Sequence, residues 1–390
     1  MKQNTKEQKI SPMRYVRNNK RRVSVLIVSL CLCFAIIYVA NFLIMSTDAT
    51  ARKIWVDSME NSCDIGFSLD NLDVSDEDFD TMETSELIEK MNSKYKEYAK
   101  KLEEDENIIK AIPFASLNLT IKPPIGMLGY NIPMIDPENA DILMKHNGAK
   151  LIEGKLPEKP YEIIIDKATM LNNNFKVGDK YNDKFTITGM LECDIYFGYG
   201  IIPDTRYVGL NVLTKKRIDD AKVLFSTLGL EYVEGSDFVN DYNTFYKDYE
   251  IYVVDEMQQS TKYIYIGIFV LLFVSLFVVY TTYLRDRHNE WCLYCSIGYS
   301  RRSIYLSIMG ELLFTFITAI LSGVIITAVM VIALDMIIMK PKGITCQYFY
   351  PDKITEILCA FVLFIGLLQI PIKYALYKIR TIDAMEDDLY

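Results

Sequence analysis

The side chains that most often carry out catalysis are scarce in this sequence of 390 residues. It contains only two histidines, His146 and His288. Catalytic zinc sites are built largely from histidine, and a serine nucleophile needs a histidine base, so almost no candidates exist for either chemistry. The Gly-x-x-x-x-Gly-Lys-Ser/Thr pattern that cradles nucleotide phosphates is also absent. We therefore expect a non-catalytic chain that holds no metal or cofactor of its own.

One cysteine pair has a spacing that can bind metal or cycle between thiol and disulfide. Cys292 and Cys295 form a Cys-x-x-Cys pair. The neighbouring sequence does not supply the four ligands of a structural zinc site. On a helix, the two side chains are most simply read as small apolar positions.

A single acid, Glu311, lies inside a long apolar run and follows two arginines, Arg301 and Arg302. A carboxylate facing lipid is costly, so we expect Glu311 to pair or to stay near the cytoplasmic interface. No second acid accompanies it, which disfavours a proton relay. The two arginines fit a plain positive-inside anchor and a partner contact equally well.

The elements that must position these residues are membrane helices. The mean hydropathy is +0.11 although 24% of the residues are charged, so the apolar residues must be concentrated in blocks. Four blocks reach the roughly 20 residues that a helix needs to cross a bilayer. They predict transmembrane helices at residues 23–45, 263–284, 304–338 and 354–375.

The distribution of lysine and arginine predicts the orientation. Basic residues cluster in segment 1–22, in loop 285–303 and in tail 376–390, so we expect all three to be cytoplasmic. Segment 1–22 is expected to be amphipathic and to lie on the lipid surface rather than to bind nucleic acid. Segment 46–262 and the short loop 339–353 then face outward, in a multi-pass protein of the cell membrane. Ala49 and Ala51 also fit a signal-peptidase site, but the apolar run exceeds the roughly 7–15 residues of a signal peptide.

The outward segment 46–262 is acidic and predicts a mixed α+β domain. Leu87, Met91, Tyr95, Tyr98 and Leu102 recur every three or four residues, which indicates amphipathic helix, broken near Thr84. A second helix is predicted at 215–228, with Thr214 as its cap. Strands are predicted at 108–112, 116–121, 162–166, 185–191 and 250–255. Cys63, Cys193 and Cys346 face outward in this scheme, so one disulfide is allowed but not required.

Three motifs resemble those of the FtsX/MacB-like family of ABC transporter permeases, also called type VII. The outer segment has a Gly-Lys-Leu-Pro turn at 154–157, a strand at 161–166, a Val-Gly-Asp turn at 177–179 and a strand that ends at Gly189. The loop SIGYSRRSI at 296–304 is similar to the family's Ala-Leu-Gly-Ala-Ser-Arg loop. The tail KIRTIDAM at 378–385 resembles the closing Ile-x-Pro-x-Glu-Ala stretch. Trp291, Tyr299, Thr381 and Asp383 depart from the family pattern.

The resemblance implies four transmembrane α-helices with a large mixed α+β extracytoplasmic domain, MacB-like and on a stalk, inserted between helices 1 and 2. It also implies that a separate cytoplasmic ABC ATPase binds ATP and magnesium, and that a second permease completes a homodimer or heterodimer. The loop 285–303 is then a coupling helix, with Leu293, Ile297 and Trp291 on its apolar side. The residues expected to couple to the ATPase are Arg285, Glu290, Trp291, Leu293, Ile297, Gly298, Arg301, Arg302 and Glu311.

The function implied is mechanotransmission, in which ATP hydrolysis in the partner moves the extracytoplasmic domain. Export or handling of a peptide, lipid-linked or drug-like substrate is expected, and an extracytoplasmic accessory protein is possible. Two alternatives stay open: an FtsX-like regulator that activates a cell-wall hydrolase, and a membrane receptor without ATPase coupling. Co-purification of an ATPase separates the last from the others.

Overall fold

The computed structural model describes residues 16–75, 78, 81–203, 206–349 and 351–379. The chain divides into two units. The helical unit contains the chain up to Phe42, Ser260–Leu334 and the chain from Tyr348 onward; the sheet unit contains Leu43–Gln259 and Asp335–Gln347. Most of the basic segment 1–22, and the tail from residue 380 with Thr381 and Asp383, lie outside the described residues.

Ten α-helices are named here in chain order. They are α1 (Lys20–Trp55), α2 (Thr84–Leu102), α3 (Ala140–His146), α4 (Lys167–Asn173), α5 (Val223–Leu228), α6 (Tyr242–Asp248), α7 (Glu256–Asp286), α8 (His288–Ser296), α9 (Arg301–Leu334) and α10 (Pro351–Lys378). Short 3₁₀ turns cover Asp57–Met59, Asp70–Leu72, Pro137–Asn139 and Lys340–Lys342, and π-helical turns cover Tyr249–Asp255 and Asp335–Met339.

Three helices among the described residues are long and apolar enough to cross a membrane. By length and composition they are Val23–Met59, Arg301–Lys342 and Ile354–Tyr377. The predicted span 263–284 lies within α7, where several side chains are outside the description, so a fourth crossing stays a prediction. The first helix runs without a break from Lys20 to Trp55, well past residue 45, as the stalk interpretation expects. Within this extension the Thr50 hydroxyl donates to the Ser46 carbonyl of the preceding turn, so its polar group is satisfied inside the helix.

The helical unit has one apolar core. Phe34 of α1 packs near Phe361 of α10, with ring centroids 6.2 Å apart, and Phe316 of α9 meets the same ring at 6.1 Å. A side chain at Gly323 would press on Phe34, since a Cβ there would lie 3.3 Å from the ring. Small residues allow such close approach of membrane helices. Aromatic packing and one glycine therefore set how α1, α9 and α10 meet.

A ten-stranded mixed sheet forms the centre of the sheet unit. Its strands are β1 (Ser62–Gly66), β2 (Ile108–Ile121), β3 (Leu128–Ile135), β4 (Lys150–Gly154), β5 (Glu162–Asp166), β6 (Lys180–Tyr181), β7 (Phe185–Glu192), β8 (Gly198–Ile201), β9 (Gly209–Thr214) and β10 (Phe238–Asn240). The order is β10-β1-β9-β2-β3-β8-β5-β7-β4, with β6 on β7. The β3–β8 and β5–β7 pairs are parallel and the others antiparallel. The long strand β2 joins the two halves, because it pairs first with β9 and then with β3.

The predicted amphipathic helix is confirmed as α2, which begins at Thr84. Its five predicted apolar residues are buried. They pack on the face of the sheet that carries Cys63 and Ile65 of β1 and Val212 of β9. Because side chains alternate along a strand, Asp64 of β1 must point to the opposite face.

In segment 46–262, one predicted element was wrong and another was too long. Residues 250–255 are π-helical rather than extended, because Tyr249 and Val253 pack on the same side against Ala51 and Val56 of the α1 end. The helix predicted at 215–228 shortens to α5 because acids bind the backbone ahead of it. Asp241 accepts a bond from the Ala221 N–H, and Asp220 accepts one from the Lys222 N–H.

The segment that follows α9 belongs to the sheet unit rather than to the helical unit. The Lys342 carbonyl accepts a bond from Asn172 Nδ2 of α4, and the Gly343 carbonyl accepts one from the Tyr196 hydroxyl. Gly343 has φ +62°, and a Cβ there would lie 2.5 Å from Ala168 Cα. The first part of the predicted loop 339–353 is therefore docked on the sheet unit.

Candidate functional site

Arg287 lies at the junction between α7 and α8 and is almost fully buried. Its Nη1 forms an ion pair with Glu311 of α9, and its Nε lies 3.3 Å from Glu290 Oε2. Nη1 also donates to the Tyr283 hydroxyl at 3.1 Å. The planar guanidinium can serve several acceptors at once, so this one side chain joins three helices.

Glu311 is buried in α9, and its carboxylate has three kinds of partner. Besides Arg287, the Tyr283 hydroxyl lies 3.4 Å from Oε2 and the Ser307 hydroxyl lies 3.4 Å from Oε1. The expectation that this acid pairs is confirmed. Breaking a buried ion pair by removing one partner is strongly destabilising, so the pair fixes α8 against α9.

Trp291 of α8 points inward with only 1% of its surface exposed. The Arg287 guanidinium lies 5.6 Å from its ring centre and 5.5 Å from that of Tyr283, which is within cation–π range. Cys292 is buried beside it. The interpretation that placed Trp291 on the same apolar side as Leu293 and Ile297 was therefore wrong, because the indole faces the interior and packs beside the Arg287 guanidinium.

Leu293 and Ile297 lie on the open side of α8, with 55% and 65% of their surfaces exposed. Residues four apart share a helix face, so the two side chains form one apolar patch. Burial of Trp291 and Cys292 turns this patch outward. We call Leu293 and Ile297 the exposed pair.

Gly298 ends α8 with φ +103°, a backbone conformation that other residues rarely adopt. Its N–H bonds to the Cys295 carbonyl at 3.1 Å, and the Tyr299 N–H bonds to the Tyr294 carbonyl at 3.0 Å. The rings of Tyr294 and Tyr299 meet edge to face at 5.9 Å. This arrangement closes the loop before α9, whose first turn is capped by Ser300.

Residues 263–384 match the family model described as FtsX-like permease C-terminal. The chain carries an FtsX-like permease domain. The match covers α8, the buried ion pair and most of the helical unit, and it confirms the predicted family for this part of the chain.

Two solved structures are similar to about half of the chain. The periplasmic region of MacB from Actinobacillus actinomycetemcomitans is 15% identical, with a TM-score of 0.27, covering 51% of this chain and 95% of that one. The extracellular domain of the noncanonic ABC-type transporter YknZ from Gram-positive bacteria is 13% identical, with a TM-score of 0.25, covering 46% and 99%. Comparison with curated proteins finds no match. Because both TM-scores are below 0.5, the family assignment depends on the match at 263–384.

Within the FtsX-like permease domain, the remaining predicted residues separate into paired and exposed ones. Glu290 contacts Arg287, and Arg301 Nη2 donates to the Ile379 carbonyl at 2.9 Å. Arg285 and Arg302 are exposed. The nine predicted residues thus lie in one stretch, but only some of them share contacts.

Sequence reasoning missed Arg287, the residue that organises the permease domain's loop. The available signal was its spacing of three residues from Glu290, together with one acid in an otherwise apolar helix. Several arginines in the same loop were equivalent in the sequence, and only burial distinguishes Arg287 from Arg285.

The cysteines of the permease domain and of the sheet unit form no disulfide. Cys292 is buried and Cys295 is half-buried. Cys63, Cys193 and Cys346 are unpaired as disulfides. Among the described residues, no group of three or more potential metal ligands occurs.

Proposed function

We propose that this chain is the membrane subunit of an ABC transporter, in which hydrolysis of ATP by a separate ATPase moves the sheet unit on the outer side of the membrane. The family match supports the permease assignment. The observation that carries the proposal is the exposed pair, Leu293 and Ile297, on a helix that is anchored by a buried ion pair.

An exposed apolar patch on a short charged loop fits insertion into a partner's groove. Amphipathic helices lay their apolar side into such grooves, with anchors spaced three or four residues apart. The exposed pair has this spacing. In the proposed orientation, the partner is the cytoplasmic ATPase and α8 is the coupling helix.

The anchoring of α8 supports transmission of movement rather than simple docking. A push on α8 reaches α9 through Arg287 and Glu311, both almost fully buried. The chain that leaves α9 is bonded within the sheet unit through the Lys342 and Gly343 carbonyls. Helix α1 also continues without a break from the helical unit into the sheet unit. These links support a mechanical route that starts at α8, and we expect the transporter to handle a peptide, lipid-linked or drug-like substrate.

The test is co-purification of the ATPase from detergent with the double variant Leu293→Asp and Ile297→Asp. We expect at least a tenfold loss of bound ATPase, because two carboxylates would enter the apolar contact. A matched control replaces two exposed aliphatic residues of the sheet unit, Val223→Asp and Val233→Asp, which are 57% and 42% exposed. The control should keep the full complement of ATPase.

Retention of the ATPase by the Leu293/Ile297 variant would reject α8 as the coupling helix. Absence of any ATPase from the wild-type preparation would favour a receptor without ATPase coupling. Melting temperatures of both variants, measured on the same samples, show that loss of the ATPase does not follow from unfolding.

A further inference from the structure

A cavity of about 390 Å³ lies within the sheet unit, on the face of the sheet opposite α2. Its volume is in the range of small-molecule binding sites, about 300–1,000 Å³. Every residue that lines it lies between Ile54 and Tyr252, inside the sheet unit. The cavity is therefore a property of this unit alone.

The floor of the cavity is a row of polar side chains that crosses three neighbouring strands. Asp64 of β1 lies in register with Asn240 of β10 on one side and with Asn211 of β9 on the other. Asn211 Nδ2 donates to Asp64 Oδ1 at 2.6 Å. The Asn211 amide oxygen is buried and has no donor among the described residues. A carboxylate and an amide oxygen thus both offer places for further N–H donors.

The charged side chains that line the cavity among the described residues are all acidic. Asp248, at the end of α6, lines it together with Asp64, and no lysine, arginine or histidine is among the described residues that do so. No described cation forms an ion pair with Asp64. Burial raises the pKa of Asp64 to about 6, against the weaker effect of the Asn211 bond. The negative charge of Asp64 is therefore partly desolvated, and no cation among the described residues neutralises it.

The walls are aromatic and aliphatic. Trp55, at the C-terminal end of α1, is fixed by a bond from its Nε1 to the Gly129 carbonyl at 3.1 Å. Met59, Phe114, Phe245 and Tyr252 complete the apolar side. Aromatic faces beside carboxylates favour cations attached to apolar groups. A bare divalent metal is disfavoured, because no group of three or more metal-binding side chains occurs among the described residues.

We propose that this cavity binds a small organic ammonium ion carrying an apolar group, with Asp64 as its anionic partner. The chemistry is that of a peptide N-terminus or of a lysine side chain. This proposal rests on the proposed function, because the bound ammonium ion represents the transporter's ligand class only if the chain is a transporter subunit. Because Ile54 and Trp55 belong to α1, an occupied cavity would contact the helix that continues into the helical unit.

The test is calorimetric titration of the full chain in detergent with three probes that share one ring. Phenylalanine amide is cationic, N-acetylphenylalanine amide is neutral and N-acetylphenylalanine is anionic. We expect the cationic probe to bind at least tenfold more tightly than the other two. It should also change the tryptophan fluorescence of the chain, to which Trp55 contributes, with the same midpoint. A fourth probe, Nα-acetyl-lysine amide, distinguishes a side-chain ammonium from an α-amino group, and tight binding of either supports the proposal.

The decisive variant is Asp64→Asn, which keeps the shape and the acceptor for Asn211 while removing the charge. We expect at least a tenfold loss of affinity for the cationic probe, with the neutral probe unaffected. The matched control, Glu104→Gln, removes one exposed acid from the same unit and should bind as wild type. A second variant, Asp248→Asn, removes the other acid of the cavity and should weaken binding of the cationic probe about threefold. It tests the proposal even if Asp64→Asn does not fold.

Equal binding of the cationic and neutral probes, or unchanged affinity in Asp64→Asn and Asp248→Asn, would overturn the proposal. The Leu293/Ile297 variant should bind the cation with wild-type affinity, since no ATPase takes part in the titration. Failure of the cation site and failure of ATPase coupling are therefore separate results.

Discussion

Glu311 in the helical unit and Asp64 in the sheet unit are both shielded from solvent, but their surroundings differ in charge. Glu311 of the helical unit meets the Arg287 guanidinium and two hydroxyl groups. Asp64 of the sheet unit meets one neutral amide, that of Asn211. Both lie beside apolar residues, but among the residues that the structure describes only Glu311 has a cationic side chain that balances its charge.

The difference separates a structural acid from a binding acid. A balanced pair holds two elements in one arrangement, here the start of α8 against α9. An unbalanced acid weakens the fold and is retained where a ligand supplies the missing charge, a common trade between stability and function. Removing the charge at the two sites should therefore change stability in opposite directions.

The largest effect is expected from Arg287→Met, which leaves Glu311 buried without its cation. We expect the free energy of unfolding to fall by about 3–5 kcal/mol, seen as a large drop in melting temperature in detergent. Arg285→Met, two residues earlier and exposed, should cost less than about 0.5 kcal/mol.

A double variant, Arg287→Met with Glu311→Gln, tests the cause. It should recover much of the loss, because no unpaired charge remains. If Arg287→Met proved no more harmful than Arg285→Met, the pair would not be what holds α8 to α9.

The second effect has the opposite sign and depends on pH. The pKa of Asp64 is raised in the folded state from 3.8 to about 6. The folded state thus binds the proton more tightly, so stability is present at low pH and is lost as the pH rises from about 4 to about 6. At pH 7.5, above both pKa values, Asp64→Asn should be more stable than wild type by about 3 kcal/mol.

Thermal unfolding across pH 4–8 checks this sign. Most of the advantage of Asp64→Asn should be gone near pH 4, where the wild-type carboxyl is protonated in the folded state and partly protonated in the unfolded state. Glu104→Gln should run parallel to wild type throughout. A destabilised Asp64→Asn at pH 7.5 would mean that Asp64 has a cationic partner, and the contrast with Glu311 would fail.

The smallest effect is expected at Gly298, which closes the loop next to the paired site. Gly298→Ala should cost about 1–2 kcal/mol, because φ +103° strains any residue with a Cβ even where space is open. Gly267→Ala, at an open helical position in α7, should be neutral or slightly stabilising. Comparison of the two melting temperatures measures how strongly the backbone of the loop is constrained.

Local patterns predicted several elements well. The three-to-four spacing of Leu87, Met91 and Tyr95 predicted α2, and the short apolar run at 162–166 predicted β5 with the observed bounds. The strands predicted at 108–112 and 116–121 form the single strand β2. Pro113, between them, does not interrupt it and lies opposite Leu210 of β9. The π-helical turn at Tyr249–Asp255 was missed, because alternating apolar residues fit a strand until their partners in α1 are known.

The sequence by itself determined the apolar helices, the mixed outward segment, the shortage of catalytic side chains and the resemblance to permeases. These depend on composition, periodicity and short motifs, which act over a few residues. Only the tertiary structure decided which arginine meets Glu311, which face of α8 stays open, and that Asp64 lies in a cavity without a cation. Those outcomes depend on burial and on contacts between residues far apart in the chain. A charge that is shielded from water affects stability and binding strongly, whereas the many exposed charges of the same sequence have little effect.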